Sequence, residues 1–208
     1  MADRPERYRR PENAMQYDRH LARPGILRRL SLGMEMAAFK KAIARVDGRR
    51  VLDAPCGTGR LQPVLEERFP VVAAVDSSTA MLGVYRSKRP LARLCCGDIF
   101  NLPFRDREWD WGVCYRLFHH FSDDSDRVRL LKSVGRVCRK GLVFTAWLDT
   151  PFNRRRGSRR SSISRQTLEK CIAASGLEMR SLDFVAWPFQ PKCVVTCVLP
   201  ATHQTPRT

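Results

Sequence analysis

The sequence carries eight cysteines and no CxxC pair. Cys95 and Cys96 are adjacent, and Cys193 and Cys197 have three residues between them, spacings that suit neither a zinc site nor a disulfide framework. Cys114, Cys193 and Cys197 stand inside apolar runs, where cysteine behaves as a small buried hydrophobe. No apolar run approaches the roughly 20 residues that cross a bilayer. The charged opening "MADRPERYRRPEN" is not followed by the apolar core of a secretory signal, and Asp3, Glu6 and Glu12 among its arginines argue against a transit peptide. The cytoplasm is the expected location. Acidic residues are scarce, 21 against 38 lysines and arginines, which leaves a formal charge of +17. That excess suits RNA, an anionic membrane surface or an anionic small molecule, and equally a solvated basic surface.

What is present is a core. Hydrophobic residues make up 43% of the chain, too many for global disorder, and 208 residues suit one domain with a short appendage. Residues 1–48 read as a basic arm followed by a helical lid. Leu27, Leu30, Met34, Ala38 and Ile43 recur near helical spacing, with a break at Pro24 and Gly25. Residues 49–200 alternate strand and helix, and 201–208 form a short tail. "RVLDA", "VVAAVD", "ARLCCGD", "WDWGVCYRLF" and "GLVFTAWLD" read as strands, the first three ending in aspartate. Serine- or aspartate-led segments between them read as capped helices. "MRSLDFVAWPF" and "KCVVTCVLP" close the chain as an antiparallel pair. The expected fold is α/β, a three-layer Rossmann-like sandwich on a mostly parallel seven-stranded sheet with an antiparallel C-terminal strand.

In such sheets ligands bind beyond the carboxyl ends of the strands. "DAPCGTG" falls at that position after the first strand, with Gly57 and Gly59 free to turn sharply. It is not a dinucleotide fingerprint, because the place of the third glycine is taken by Gln62, and no Lys-Ser or Lys-Thr pair follows to make a P-loop. Asp76 stands at the end of the second strand, where a carboxylate accepts from ribose hydroxyls. Asp98 stands at the end of the third, where an acid accepts from an adenine amine. Three strand-terminal acids and one glycine loop outline a nucleoside site.

"VLDAPCGTGRL", "VVAAVDSSTAML" and "CCGDIFNLPFRDREWDWGVCYRLFHHF" together resemble the class I, seven-stranded S-adenosylmethionine-dependent methyltransferases, in the branch that includes ubiquinone- and menaquinone-pathway enzymes. The resemblance implies S-adenosyl-L-methionine as cofactor and no metal. It implies that Asp53, Ala54, Pro55 and the Gly57–Gly59 loop cradle the methionine portion, that Asp76 holds the ribose beside Ser77 and Met81, and that Asp98 and the Ile99 main chain read adenine. Tyr115 and Arg116 would line the methionine end and the acceptor opening. Members of the family usually have glycine where this chain has Pro55, a residue with no N–H to donate. The family's sulfonium carries an electrophilic methyl, so the protein's task is in-line placement of the acceptor. His119 and His120 are the base candidates, should the acceptor need to lose a proton.

Arg154, Arg155, Arg156, Arg159 and Arg160 fall in a loop after the fifth strand, on the expected acceptor side, where guanidinium forks suit phosphate or carboxylate. Three readings of the acceptor stand. A small or lipid-like molecule, reached by peripheral membrane contact in one version, suits the alternation of apolar and cationic residues in "GILRRLSLGMEMAAFKKAI". RNA suits the charge, although no aromatics are interleaved with the loop arginines. A regulatory protein that binds the cofactor without turnover is the third.

Overall fold

The computed structural model describes residues 10–149, 162–185 and 192–200. Two helices come first, α1 (Pro11–Ala22) and α2 (Ile26–Ala44), separated at the Pro24–Gly25 corner as the sequence suggests. Then follow β1 (Arg50–Asp53), α3 (Gln62–Glu66), β2 (Val71–Asp76), α4 (Thr79–Lys88), β3 (Arg93–Cys96) and β4 (Trp109–Cys114). A 3-10 turn (Phe118–His120) leads to α5 (Asp124–Arg136), β5 (Cys138–Trp147), α6 (Arg165–Ala174), β6 (Glu178–Phe184) and β7 (Lys192–Val198).

The strands form one seven-stranded sheet in the order β3–β2–β1–β4–β5–β7–β6. β1 to β5 pair in parallel, and β7 runs antiparallel to both β5 and β6. β7 is therefore the strand that opposes the rest. Strand order reverses between β1 and β4, which flank each other. The carboxyl ends of this pair are where ligands bind in such sheets.

Parallel strands are buried on both faces, and the sequence supplies apolar residues for both. On one face Leu130, Leu131 and Val134 of α5 and Leu168 and Ile172 of α6 pack on Leu52, Leu142 and Phe144. On the other, Phe39 and Ile43 of α2 and Leu65 of α3 pack on Val51, Trp111 and Val143. Side-chain caps set three helix starts. Ser78 accepts from the Met81 N–H, Asp123 from Ser125 and Ser164 from Thr167. Six of the eight cysteines are buried and all are free thiols, and burial pushes Cys193 and Cys197 up to about 12. They are therefore protonated packing groups rather than thiolate nucleophiles.

Candidate cofactor and acceptor site

β1 ends at Asp53, and the chain then passes through a cis Ala54–Pro55 bond into two left-handed glycines, Gly57 at φ 54° and Gly59 at φ 80°. L side chains avoid that region, which is why the turn needs both glycines. Contacts with β2 fix the loop. The Cys56 N–H donates to Val75 O at 2.8 Å, and the Gly57 N–H donates to Asp76 Oδ2 at 2.8 Å. The other Asp76 oxygen accepts from the Ser78 N–H at 2.9 Å, so one carboxylate braces the glycine turn and the start of α4. Gly59 lies under the Tyr85 ring, so closely that a Cβ there would come within 2.5 Å of it. The Tyr85 hydroxyl in turn donates to Gln62 Oε1.

Around this loop, buried polar atoms lack partners. Both carboxylate oxygens of Asp53, Thr58 Oγ1 and Arg60 Nη1 are buried and unbonded. All four atoms stand at the end of β1 or in the loop after it. Buried polar atoms are ordinarily paired, so this concentration marks a place built for a ligand. Burial pushes the Asp53 carboxyl well above its usual range, and the nearby Asp76 charge pushes it further. Asp76 is also raised by burial, although the N–H groups of Ser78, Gly57 and Ser77 pull against the shift.

Asp98 differs from its expected placement. β3 stops at Cys96, so the acid lies two residues beyond the strand, exposed, accepting from the Phe100 N–H at 3.0 Å. The glycine at position 97 breaks the apolar run, and Asp98 caps a tight turn that pairs with Asn101. It still faces the same end of the sheet as Asp53 and Asp76.

A second cluster stands where β4, β5 and β7 meet α2. Arg116, just past β4, is left-handed at φ 61° and donates its N–H to Thr145 Oγ1 at 2.7 Å. Its Nε lies 3.6 Å from Glu35 Oε1, and Lys192 Nζ lies 2.8 Å from Glu35 Oε2. Glu35, on α2, is only 2% exposed. Burial would raise its carboxyl, but the Arg116 and Lys192 cations outweigh that effect and hold it below its usual value. Tyr115 is packed edge-on against Phe39 at 5.2 Å, with the Arg60 guanidinium 5.7 Å from its ring. Burial and the Glu35 charge push its hydroxyl far up, so it stays protonated. His119 is buried, its ring 5.0 Å from Trp147 and 4.2 Å from the exposed His120.

Comparison with known proteins decides what this cleft belongs to. Residues 51–141 match the family model of a methyltransferase domain. The fold superposes on magnesium protoporphyrin IX methyltransferase from Synechocystis PCC 6803, crystallised with bound S-adenosylhomocysteine, with a TM-score of 0.71 at 15% identity, covering 89% of this chain and 95% of that one. The fold is that of the class I methyltransferases. Among curated proteins, "Probable tRNA methyltransferase 9B" of Mus musculus is 31% identical over 110 residues, 52% of this chain and 24% of the relative. Demethylmenaquinone methyltransferase of Deinococcus radiodurans is 37% identical over 104 residues, 45% of this chain and 43% of the relative. The chain thus spans less than half the length of either relative.

Within the methyltransferase domain, Asp53, Ala54, Pro55, Gly57, Gly59 and Asp76 converge on one loop. Met81 is buried under the start of α4, Ser77 is exposed beside it, and Ile99 is half-buried next to Asp98. Tyr115 and Arg116 follow β4, the strand that pairs with β1. The loop arginines Arg154, Arg155, Arg156, Arg159 and Arg160 lie outside the described residues, as do the first nine residues and the tail from 201. Among the described residues no group of three or more His, Cys, Asp or Glu side chains could hold a metal, and no helix is long and apolar enough to cross a membrane.

Sequence reasoning passed over Thr58, Arg60, Glu35 and Lys192. Glu35 had a signal. It is the single acid in α2, and it falls in register with Leu32, Phe39 and Ala42 on the buried side of that helix. Arg60 and Lys192 had none, since cations are abundant everywhere in this chain.

Proposed function

We propose that the protein transfers the methyl group of S-adenosylmethionine to a small or lipid-like acceptor with an apolar body. The observation that carries the reading is the concentration of unbonded polar atoms around the β1 loop. The cofactor fits that concentration atom by atom in kind. Its ammonium answers the unpartnered Asp53 carboxylate, and its carboxylate answers the Arg60 guanidinium and Tyr115 hydroxyl. Asp76 keeps lone pairs for the ribose hydroxyls after accepting from Gly57 and Ser78, with Ser77 and Met81 alongside. Asp98 and the Ile99 N–H serve adenine.

When bound, the cofactor supplies an electrophilic methyl; the chain's own residues place the acceptor and keep water out. Tyr115, His119 and Trp147, at the ends of β4 and β5, give the acceptor side an aromatic wall, which favours an apolar body. His120, exposed next to His119, is the proton acceptor if the acceptor ionises. The five loop arginines are assigned to an anionic group on the same molecule. RNA is the second reading, favoured by the charge of +17 and by the likeness to the tRNA methyltransferase relatives.

Protonation gives one check. The Asp53 carboxyl is raised while the cleft lacks a cation. An ammonium beside it lowers that pKa, so binding releases a proton and affinity rises with pH until the raised pKa is passed. Titrations in buffers of unlike ionisation enthalpy should give different apparent heats, and Asp53→Asn should remove the difference. Equal heats in all buffers would contradict the role of Asp53.

The acceptor class is tested by incubating cell extract with the protein and methyl-labelled cofactor, then separating lipid, RNA and small-molecule fractions. Label in organic-soluble or small-molecule material is expected. Label in RNA would establish the second reading, and label nowhere would contradict a transferase.

A further inference from the structure

The two N-terminal helices are tied to the core at either end, and among the described residues the start of α2 is uncovered. α1 packs on α4, with Lys88 Nζ 2.7 Å from Asp18 Oδ1. The far end of α2 is held on β6, where Arg45 Nη1 donates to both oxygens of Asp183 at 2.9 Å. Midway along α2, Lys192 Nζ reaches Ser31 Oγ at 3.3 Å as well as Glu35. These contacts carry the first turns of α2 over the acceptor end of the sheet.

There the helix shows apolar residues to solvent. Ile26 is 81% exposed, Leu27 83%, Leu30 59% and Met34 41%. Positions i, i+1, i+4 and i+8 share one side of a helix. The other side, with Leu32, Glu35 and Phe39, is the buried one. α2 is thus apolar on two sides, and the inner side alone has a partner among the described residues. Four large apolar side chains together on one exposed face mark a contact surface.

Charge indicates what covers it. Arg23 and Arg29 flank the stripe, exposed, and neither has an acidic partner among the described residues. A neutral protein face would satisfy the apolar stripe and leave the cations idle. RNA would satisfy the cations and leave the stripe in water. A bilayer with anionic headgroups takes both, acyl chains against the stripe and phosphates against the guanidinium groups.

We propose that the Ile26–Met34 side of α2 docks on an anionic lipid surface, with Ile26 and Leu27 inserted and Arg23 and Arg29 on headgroup phosphates. The docking holds whatever molecule is methylated. It turns the acceptor end of the sheet toward the bilayer, because the helix that inserts is the one anchored to Lys192 at the start of β7. Each arginine near an anionic surface is worth about fivefold in partitioning, and each fully buried Ile or Leu about tenfold or more.

Flotation of the full chain with phosphatidylcholine vesicles, with and without phosphatidylglycerol, tests the proposal. The protein should float with the anionic vesicles, remain behind with the neutral ones, and lose flotation as salt rises. Changing Ile26, Leu27 and Leu30 to aspartate should abolish flotation, and changing Arg23 and Arg29 to glutamine should weaken it at least tenfold. S-adenosylhomocysteine affinity should be unchanged in both variants, which shows that they are folded. Wild-type protein that stays with neither vesicle would overturn the proposal. So would variants that float as wild type does. A concentration-dependent dimer abolished by Leu27→Asp, or RNA binding lost with the same stripe, would assign the surface to a second copy or to nucleic acid instead.

Discussion

Asp76→Ala should bind S-adenosylmethionine at least about a hundredfold more weakly than the unaltered protein, measured by calorimetry. The carboxylate braces the glycine turn and the start of α4 through the Gly57 and Ser78 N–H groups. The ribose hydroxyls proposed to donate to it would make two further hydrogen bonds to a charged group, at about 1.5–3 kcal/mol each, so losing both costs about 3 kcal/mol at the low end, a factor above ~100. Asp76→Asn separates the parts. Its carbonyl can still accept from one N–H, but its amide meets the other donor to donor, so an intermediate loss is expected. Affinity within threefold of wild type in the alanine variant would show that the cleft does not depend on this carboxylate.

Glu35→Ala should lower the melting temperature by on the order of 10 °C. Glu35 is buried between Arg116 and Lys192, whose side chains are 22% and 11% exposed. Removing one partner of a buried ionic group leaves the others uncompensated, at about 3–5 kcal/mol, and a chain of this size shifts by about 2–4 °C per kcal/mol. The effect should not be confined to stability. Arg116 is held in a left-handed conformation between Thr145 and Glu35, and Tyr115 beside it lines the cleft. Acceptor use should therefore fall more than cofactor affinity. Sign and pH window follow from the direction of the Glu35 shift. Its folded pKa lies below the ordinary value of 4.5, so its contribution is full above about pH 4.5 and is lost as pH falls through the lower, folded value. Glu35→Gln should lack that limb of the acid unfolding curve. A variant that melts with the wild type would show that α2 is held by Phe39, Ala42 and Ile43 alone.

Periodicity and spacing made most of the fold legible before any coordinates. The seven strands, the break at Pro24–Gly25 and the antiparallel closing pair were all written in short apolar runs, caps and glycines. Asp53 and Asp76 were legible because each closes such a run. Asp98 was placed too early, at the end of β3, because Gly97 separates it from the strand, and a one-dimensional pattern does not show where pairing stops. The pairing within the ion cluster was not legible, although Glu35 alone on the buried side of α2 carried a signal. Glu35, Arg116 and Lys192 are brought together by α2 crossing to β7, over a separation of 157 residues between Glu35 and Lys192. Local sequence carries no trace of such a contact. Arg60 was hidden in another way, because its unpaired Nη1 becomes informative only once its burial is known.

The most direct test is a crystal structure of the protein with S-adenosylhomocysteine. The account predicts the amino group of the ligand on the Asp53 carboxylate, its carboxylate at Arg60 and Tyr115, and its ribose hydroxyls on Asp76. A ligand seated away from the carboxyl ends of β1 and β2, or Asp53 still without a donor in the complex, would contradict it.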